Sequence, residues 1–273
     1  MKQFVVHILK FFAIALAMLL LCESLYFYSG YYQTKVNGLE VYIAILKSKQ
    51  KSAKVKRLLL GDSVAMQMYP CNKEYNDMIS LACNQAITMA GYYCLLNNFI
   101  ELNNDALPDE VVLLVNPYTL GSNLDIFAYH YFLKPFYNDK YRALFSSTLQ
   151  ERISKIKCYQ TARLPFIRTS NYSPTYEMPG GDYIFVSPIS KEYLERMWNL
   201  CKQKGISLQL IFTPAKESNK ANIETALEAS IINGELIFDF LIQSKSSLTF
   251  LPDSLFRDNV HFEEKFIPNN YLK

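Results

Sequence analysis

The sequence predicts an α/β domain: a central parallel sheet of about five strands in three α/β/α layers, preceded by one N-terminal transmembrane helix. Continuous apolar runs, rather than alternating ones, recur around Val55–Gly61, Asp77–Cys83 and Glu110–Val115. Such runs suit strands buried on both faces, and patterns of helical spacing separate them. A long apolar stretch also opens the chain. With 273 residues, half of them hydrophobic and 14% aromatic, the chain can fold one large domain with length to spare, and disorder is excluded. A net charge of +3 is too small to argue for a nucleic-acid partner.

Taken in order, the chain begins with Phe11–Cys22, twelve apolar residues in a row, inside an apolar segment running from Phe4 to about Tyr28. That length spans a bilayer core of roughly 30 Å. Lys2 and Lys10 precede the span, and only Lys35 follows it before Lys47, so the positive-inside bias keeps the N-terminus in the cytoplasm and sends the domain outward. Tyr26, Phe27, Tyr28, Tyr31 and Tyr32 read as an interfacial aromatic belt. The rival reading is a signal peptide and a secreted domain. Cys22-Glu23-Ser24 makes a poor cleavage site, and Leu21 is not the small residue that a lipoprotein signal needs before its cysteine. Residues 1–30 are therefore read as the anchor or signal segment. Residues 31–53 are a juxtamembrane linker with an amphipathic helix over Val36–Ser48. Six Lys or Arg residues between Lys47 and Arg57 read as a solvated linker and strand entry rather than a lipid-headgroup patch.

The main domain spans 54–273. Its first strand ends in Gly61-Asp62-Ser63 and leads into a helix over Val64–Tyr69. The second apolar run ends in Asn84-Gln85-Ala86. Thr88 then caps a helix to about Asn103, with Tyr92, Leu95, Leu96 and Phe99 at helical spacing. The third strand, Glu110–Val115, ends in Asn116-Pro117. From 118 to 190 the rhythm breaks into an insertion rich in Tyr, Phe and Pro, with short helices expected near Asp125–Phe136 and Leu144–Ile156. An insertion of this kind is usually a lid or a substrate-binding elaboration. Beyond it come a helix over Lys191–Lys204 stopped by Gly205, a strand over Ile206–Phe212, a helix over Ala221–Ile232 and a fifth strand over Leu236–Leu241.

Chemistry concentrates at two places. A serine presented at the carboxyl end of a parallel strand sits where such sheets bind ligands. Near the C-terminus, Asp258 and His261 stand three apart, so the carboxylate can hold Nδ1–H and leave Nε2 free to take a proton from Ser63.

With these two motifs the sequence resembles the SGNH (GDSL-type) serine hydrolases. Gly61-Asp62-Ser63 matches their first motif and Asp258-x-x-His261 their last, over about Lys54–Phe266 without the insertion. The resemblance implies a flavodoxin-like sheet and ester or acyl-transfer chemistry, with Ser63 as nucleophile, His261 as general acid/base and Asp258 as its orienter. It also implies an oxyanion hole from the backbone N–H groups of Ser63 and Ala86 and the side-chain amide of Asn116. The middle motifs depart from the family pattern. Ala86 replaces the glycine of Asn-x-Gly, and Asn116 lacks the Asp that follows in Gly-x-Asn-Asp; Asn123 is a weaker substitute. Anchored members of similar architecture move acyl groups on envelope polysaccharides, which implies an acylated carbohydrate or other ester as substrate and a polytopic acyltransferase as a partner. A catalytically weakened domain serving as a binding or assembly partner is the alternative.

The remaining candidates read as structural. His130 suits an aromatic-packed side chain and His7 the membrane edge, while Asp62 is expected to brace its turn. Asn171-Tyr172-Ser173 matches a glycosylation sequon by chance. One histidine–acid pair offers too few ligands for a metal, and no Gly-rich phosphate loop follows a strand, so no cofactor is expected. The six cysteines show no metal-ligand spacing and read as small core residues with at most one disulfide.

Overall fold

A computed structural model describes residues 2–28, 39–122, 133–136, 139–154, 184–232, 244–268 and 271–272. The first helix, α1, covers Lys2–Tyr28. At 1.5 Å per residue its 27 residues reach about 40 Å. Phe4, Leu9, Phe11, Phe12 and Leu21 face outward along it, and Lys2–Cys22 is long and apolar enough to cross a membrane. Two of its polar side chains bond the helix itself: Ser24 Oγ donates to Leu20 O, and His7 Nδ1 pairs with Gln3 O, both at 2.8 Å. Such a helix fits a signal anchor or single-pass segment, and equally a signal peptide.

Helix α2 (Leu39–Ser48) is part of the domain core rather than a free linker. It buries Val41, Ala44, Ile45 and Ser48, the i, i+3, i+4, i+7 face of a helix. The basic run behind it is engaged within the domain. Lys47 Nζ donates to Cys71 O (3.0 Å) and Lys73 O (2.9 Å), Lys49 lies over the Tyr141 ring, and Lys54 pairs with Asp109 at 2.8 Å.

Strand β1 (Arg57–Gly61) leads into α3 (Ser63–Met68), then β2 (Met78–Ser80), α4 (Thr88–Leu102) and β3 (Glu110–Val115). Two short helices follow in the insertion, α5 (Asp139–Arg142) and α6 (Ser147–Ser154). Then come α7 (Pro188–Gln203), β4 (Ser207–Phe212), β5 (Ala215–Lys216), α8 (Lys220–Ile232) and β6 (Phe250–Leu251). The main sheet is parallel throughout, with order β2-β1-β3-β4. Leu58, Leu59 and Leu60 of β1 and Val111 through Val115 of β3 are buried, as unbroken apolar runs at the centre of a covered sheet should be. β4 instead alternates, turning Leu208, Leu210 and Phe212 inward and Ser207 and Gln209 outward. The expected fifth strand falls outside the described residues. β5 and β6 form a separate parallel pair that the sequence did not suggest.

The order places the site. Right-handed crossovers put α3 on one face of the sheet and α4 and α7 on the other. α4 and α7 accordingly pack on each other, with Tyr93 and Tyr193 rings 5.8 Å apart. The winding direction changes between β1 and β3, so their carboxyl ends open the crevice in which such sheets bind ligands. Helix ends follow local chemistry. Ser187 Oγ caps α7 by accepting the Ser190 N–H, and Gly205, at φ 67°, closes it while Ile206 N–H donates back to Cys201 O.

The described part of the insertion does not stand apart as a lid. Leu133, Phe136, Tyr141, Phe145, Leu149 and Ile153 are buried in the common core. Tyr141 OH accepts a 2.8 Å bond from Asn98, whose amide also reaches Ser48 on α2. Of the helix expected at Asp125–Phe136, only a single turn at Lys134–Phe136 is described. The described cysteines, Cys22, Cys71, Cys83, Cys94 and Cys201, are free thiols. Burial pushes the Cys201 thiol up to about 12, in keeping with an inert core residue.

Candidate active site

Gly61 ends β1 where no other residue fits: a Cβ there would lie 2.5 Å from Ala65 Cβ and from Leu114 O. The chain then turns at once into α3, with Asp62 as N-cap and Ser63 as first helical residue. Asp62 is fully buried, and its carboxylate gathers the corner. Oδ1 accepts the N–H groups of Val64 (3.0 Å) and Ala65 (3.1 Å); Oδ2 accepts the Asn116 N–H and the Thr119 hydroxyl. Burial pushes the Asp62 carboxyl up, against Thr119 Oγ1, the Asn116 and Ala65 N–H groups and the nearby His261, which favour the charged form. Asp62 thus ties the ends of β1 and β3 to the start of α3. Met66 N–H bonds Asp62 O, so among the first-turn donors the Ser63 N–H has no partner within the described residues.

The C-terminal motif arrives from the far end of the chain. Residues 255–263 form a stiff loop: Arg257 N–H donates to His261 O at 2.9 Å, Glu263 N–H donates to Leu255 O at 3.0 Å, and the Phe256 and Phe262 rings stack at 4.7 Å. Within it Asp258 Oδ1 accepts the backbone N–H groups of Val260 (2.9 Å) and His261 (2.8 Å), while Oδ2 lies 2.8 Å from His261 Nδ1. With its proton on Nδ1, the imidazole presents Nε2 as acceptor to Ser63 Oγ, 2.8 Å away. Burial pushes the Asp258 carboxyl up, but the two backbone N–H groups and the imidazole outweigh it and hold the group below its ordinary value. Ser63, His261 and Asp258 are therefore brought together in one hydrogen-bonded line.

The expected oxyanion donors are placed unequally. Asn116 follows the end of β3, beside Ser63 by the register Gly61↔Leu114. Its Oδ1 accepts the Tyr118 N–H at 3.2 Å, and its Nδ2 is buried with no hydrogen-bond partner among the described residues. This leaves the amide N–H groups open to a further acceptor, such as water or a ligand atom. Ala86 differs, because its N–H already donates to Asn84 Oδ1 at 2.9 Å. Asn123 and His130 lie outside the described residues, as does the sequon at 171–173. His7 is on α1, apart from this cluster.

One contributor escaped the sequence reading. Gln67, on α3, bonds the backbone of Phe262 with both ends of its amide. Its partner is main chain 195 residues away, so no residue-type signal could have announced it. Among the described residues no three His, Cys, Asp or Glu side chains gather to hold a metal ion.

No family model matches the chain, and no curated protein matches it. A solved structure from Streptococcus pneumonia, described as a candidate platelet activating factor, is similar at 12% identity with a TM-score of 0.34, covering 93% of this chain and 94% of that one. A likeness at that score carries no argument about fold or chemistry.

Proposed function

We propose that the chain is an SGNH-type serine esterase or O-acyltransferase, held at a membrane by α1 with its domain outside the cytoplasm, acting on acylated envelope glycans. The observation that carries this reading is the Ser63 Oγ–His261 Nε2 contact of 2.8 Å, backed by Asp258 on the other ring nitrogen. The strand order β2-β1-β3-β4 supports it, being that of the first four strands of a flavodoxin-like sheet.

In this mechanism His261 Nε2 takes the Ser63 proton as Oγ attacks the ester carbonyl. The tetrahedral oxyanion accepts from the Ser63 N–H and Asn116 Nδ2. The imidazolium, steadied by Asp258, then protonates the leaving alkoxide, and an acyl-Ser63 ester remains. Water or a sugar hydroxyl, deprotonated by the same imidazole, attacks that ester to give hydrolysis or transfer.

A second reading, a weakened domain that binds an envelope acyltransferase or its substrate, is favoured by one observation: the Ala86 N–H is occupied by Asn84. Treating the full chain in detergent micelles with a fluorophosphonate probe separates the two. The enzyme reading expects a covalent Ser63 adduct that disappears in Ser63→Ala. A folded wild type that stays unlabelled would sink it and leave the binding role.

A further inference from the structure

We infer that Gln67 is a positioning residue that sets the approach of His261 to Ser63; the inference rests on the reading of Ser63 as nucleophile and His261 as its base. Gln67 lies four residues after Ser63 on α3, so the two side chains leave the same face of the helix. Gln67 Nε2 donates to Phe262 O at 3.2 Å, and Phe262 N–H donates to Gln67 Oε1 at 3.1 Å. The side-chain amide thus acts as one more peptide group paired against the loop backbone. The residue it grips directly follows His261.

Two links therefore join α3 to consecutive residues of the loop: Ser63 to His261 and Gln67 to Phe262. A single link would act as a hinge. Two links one helical turn apart fix both distance and rotation. Because the loop is internally stiff, through the Arg257–His261 and Glu263–Leu255 bonds and the Phe256–Phe262 stack, it moves as a body. Its attachment to α3 then decides where Nε2 sits. Burial of Val260 and Phe262 keeps the loop on the core, but apolar contact has no direction. The Gln67 amide supplies direction.

The test compares wild type, Gln67→Met and Gln67→Glu as full chains in detergent, following the rate of fluorophosphonate labelling at Ser63 from pH 5 to 8 together with Phe262 amide hydrogen exchange. Methionine keeps the length without the hydrogen bonds. Losing two neutral bonds that hold a reacting group in line should slow labelling by about 10- to 30-fold and speed exchange at Phe262. A glutamate carboxylate can accept the Phe262 N–H but repels the Phe262 carbonyl; once protonated it regains the donor and matches both. The Gln67→Glu rate, taken as a ratio to wild type, should therefore rise several-fold as pH falls toward 5. A Gln67→Met protein that labels within about twofold of wild type overturns the inference, as does a Gln67→Glu ratio that ignores pH. A wild type that resists the probe overturns the reading of Ser63 itself, and the inference with it; a labelled wild type beside an unaffected Gln67→Met overturns the inference alone.

Discussion

Replacing Asn116 with alanine should abolish most activity while leaving stability nearly unchanged, a combination that few buried substitutions produce. Asn116 is 1% exposed, its Oδ1 accepts the Tyr118 N–H, and its Nδ2 has no partner among the described residues. An unpaired buried amide donor costs about 1–3 kcal/mol in the resting protein, and the substitution removes that penalty. It also removes the side-chain cap on the following turn, at about 1 kcal/mol. The two terms nearly offset each other. The backbone bond from Asn116 N–H to Asp62 survives, so the end of β3 keeps its place. In the transition state the same Nδ2 donor would meet an anionic oxygen, and losing one such donor costs about 10²–10³ in kcat. The assay is kcat and KM on a chromogenic aryl ester, beside urea unfolding of the full chain in detergent. Asn116→Asp, which keeps the acceptor for Tyr118 but sets a negative charge beside the forming oxyanion, should fall below the alanine variant. An alanine variant within threefold of the wild-type kcat would refute the assignment of Nδ2 to the oxyanion. So would a rate loss matched by an unfolding loss of several kcal/mol, because the amide would then serve the core.

Two further predictions concern Asp258 and α2. The Asp258 carboxyl is held below its ordinary value when folded, so the unfolded chain binds that proton first as pH drops. Its contribution to stability is complete above the unfolded value of about 3.9 and is lost as pH falls through the lower folded value. Unfolding midpoints measured through that window should drop more steeply for wild type than for Asp258→Asn, and equal slopes would contradict the assignment. At neutral pH Asp258→Asn should also lose about 10⁴ in rate, because an amide facing Nδ1 favours the tautomer that cannot accept from Ser63. For α2, Ile45→Ala should cost about 2–4 kcal/mol, and a chain beginning at Lys54 should melt below the full chain. Equal melting would return α2 to the status of a linker.

What the sequence made legible follows from burial geometry. β1 and β3 could be read because strands covered on both faces carry unbroken apolar runs, and Leu58–Leu60 and Val111–Val115 have no polar interruption. The α4 stripe of Tyr92, Leu95, Leu96 and Phe99 is fully buried, as its spacing predicts. α2 was read as an amphipathic helix within a linker because an apolar face at helical spacing does not say which surface it meets; in the structure that face joins the core. Lys49, Lys51, Lys54 and Lys56 are exposed, as a solvated run should be; Lys47 departs because its acceptors, the carbonyls of Cys71 and Lys73, carry no residue-type signature. The same reason hides Gln67. In the candidate site, the serine and the His–Asp pair were legible from residue type and spacing, whereas the state of each expected oxyanion donor depends on local turns that composition does not encode.

Those turns bear on whether the altered middle motifs silence the proposed chemistry. Asn116 lacks the acidic neighbour of the family pattern, yet its position is set from three sides. The β1–β3 register brings it beside Ser63, Asp62 holds its backbone N–H, and Tyr118 N–H fixes the side-chain oxygen so that Nδ2 is left over. Pro117 is compatible with this, because the first N–H of a helical turn has no partner to lose. At the other turn Asn84 occupies the Ala86 N–H, and one residue beyond the turn Thr88 sits at φ 58°, ψ 177°, a conformation that costs a β-branched residue about 1–3 kcal/mol. Freeing the Ala86 donor means giving up one neutral hydrogen bond, about 1 kcal/mol, against the roughly 2.7–4 kcal/mol that an oxyanion donor returns in a transition state. The exchange favours release once an oxyanion forms. On the proposed reading, a resting site with two candidate donors, Ser63 N–H and Asn116 Nδ2, and a third reachable at small cost would be slowed by its altered motifs rather than disabled, which is why we prefer the enzyme reading to the binding one.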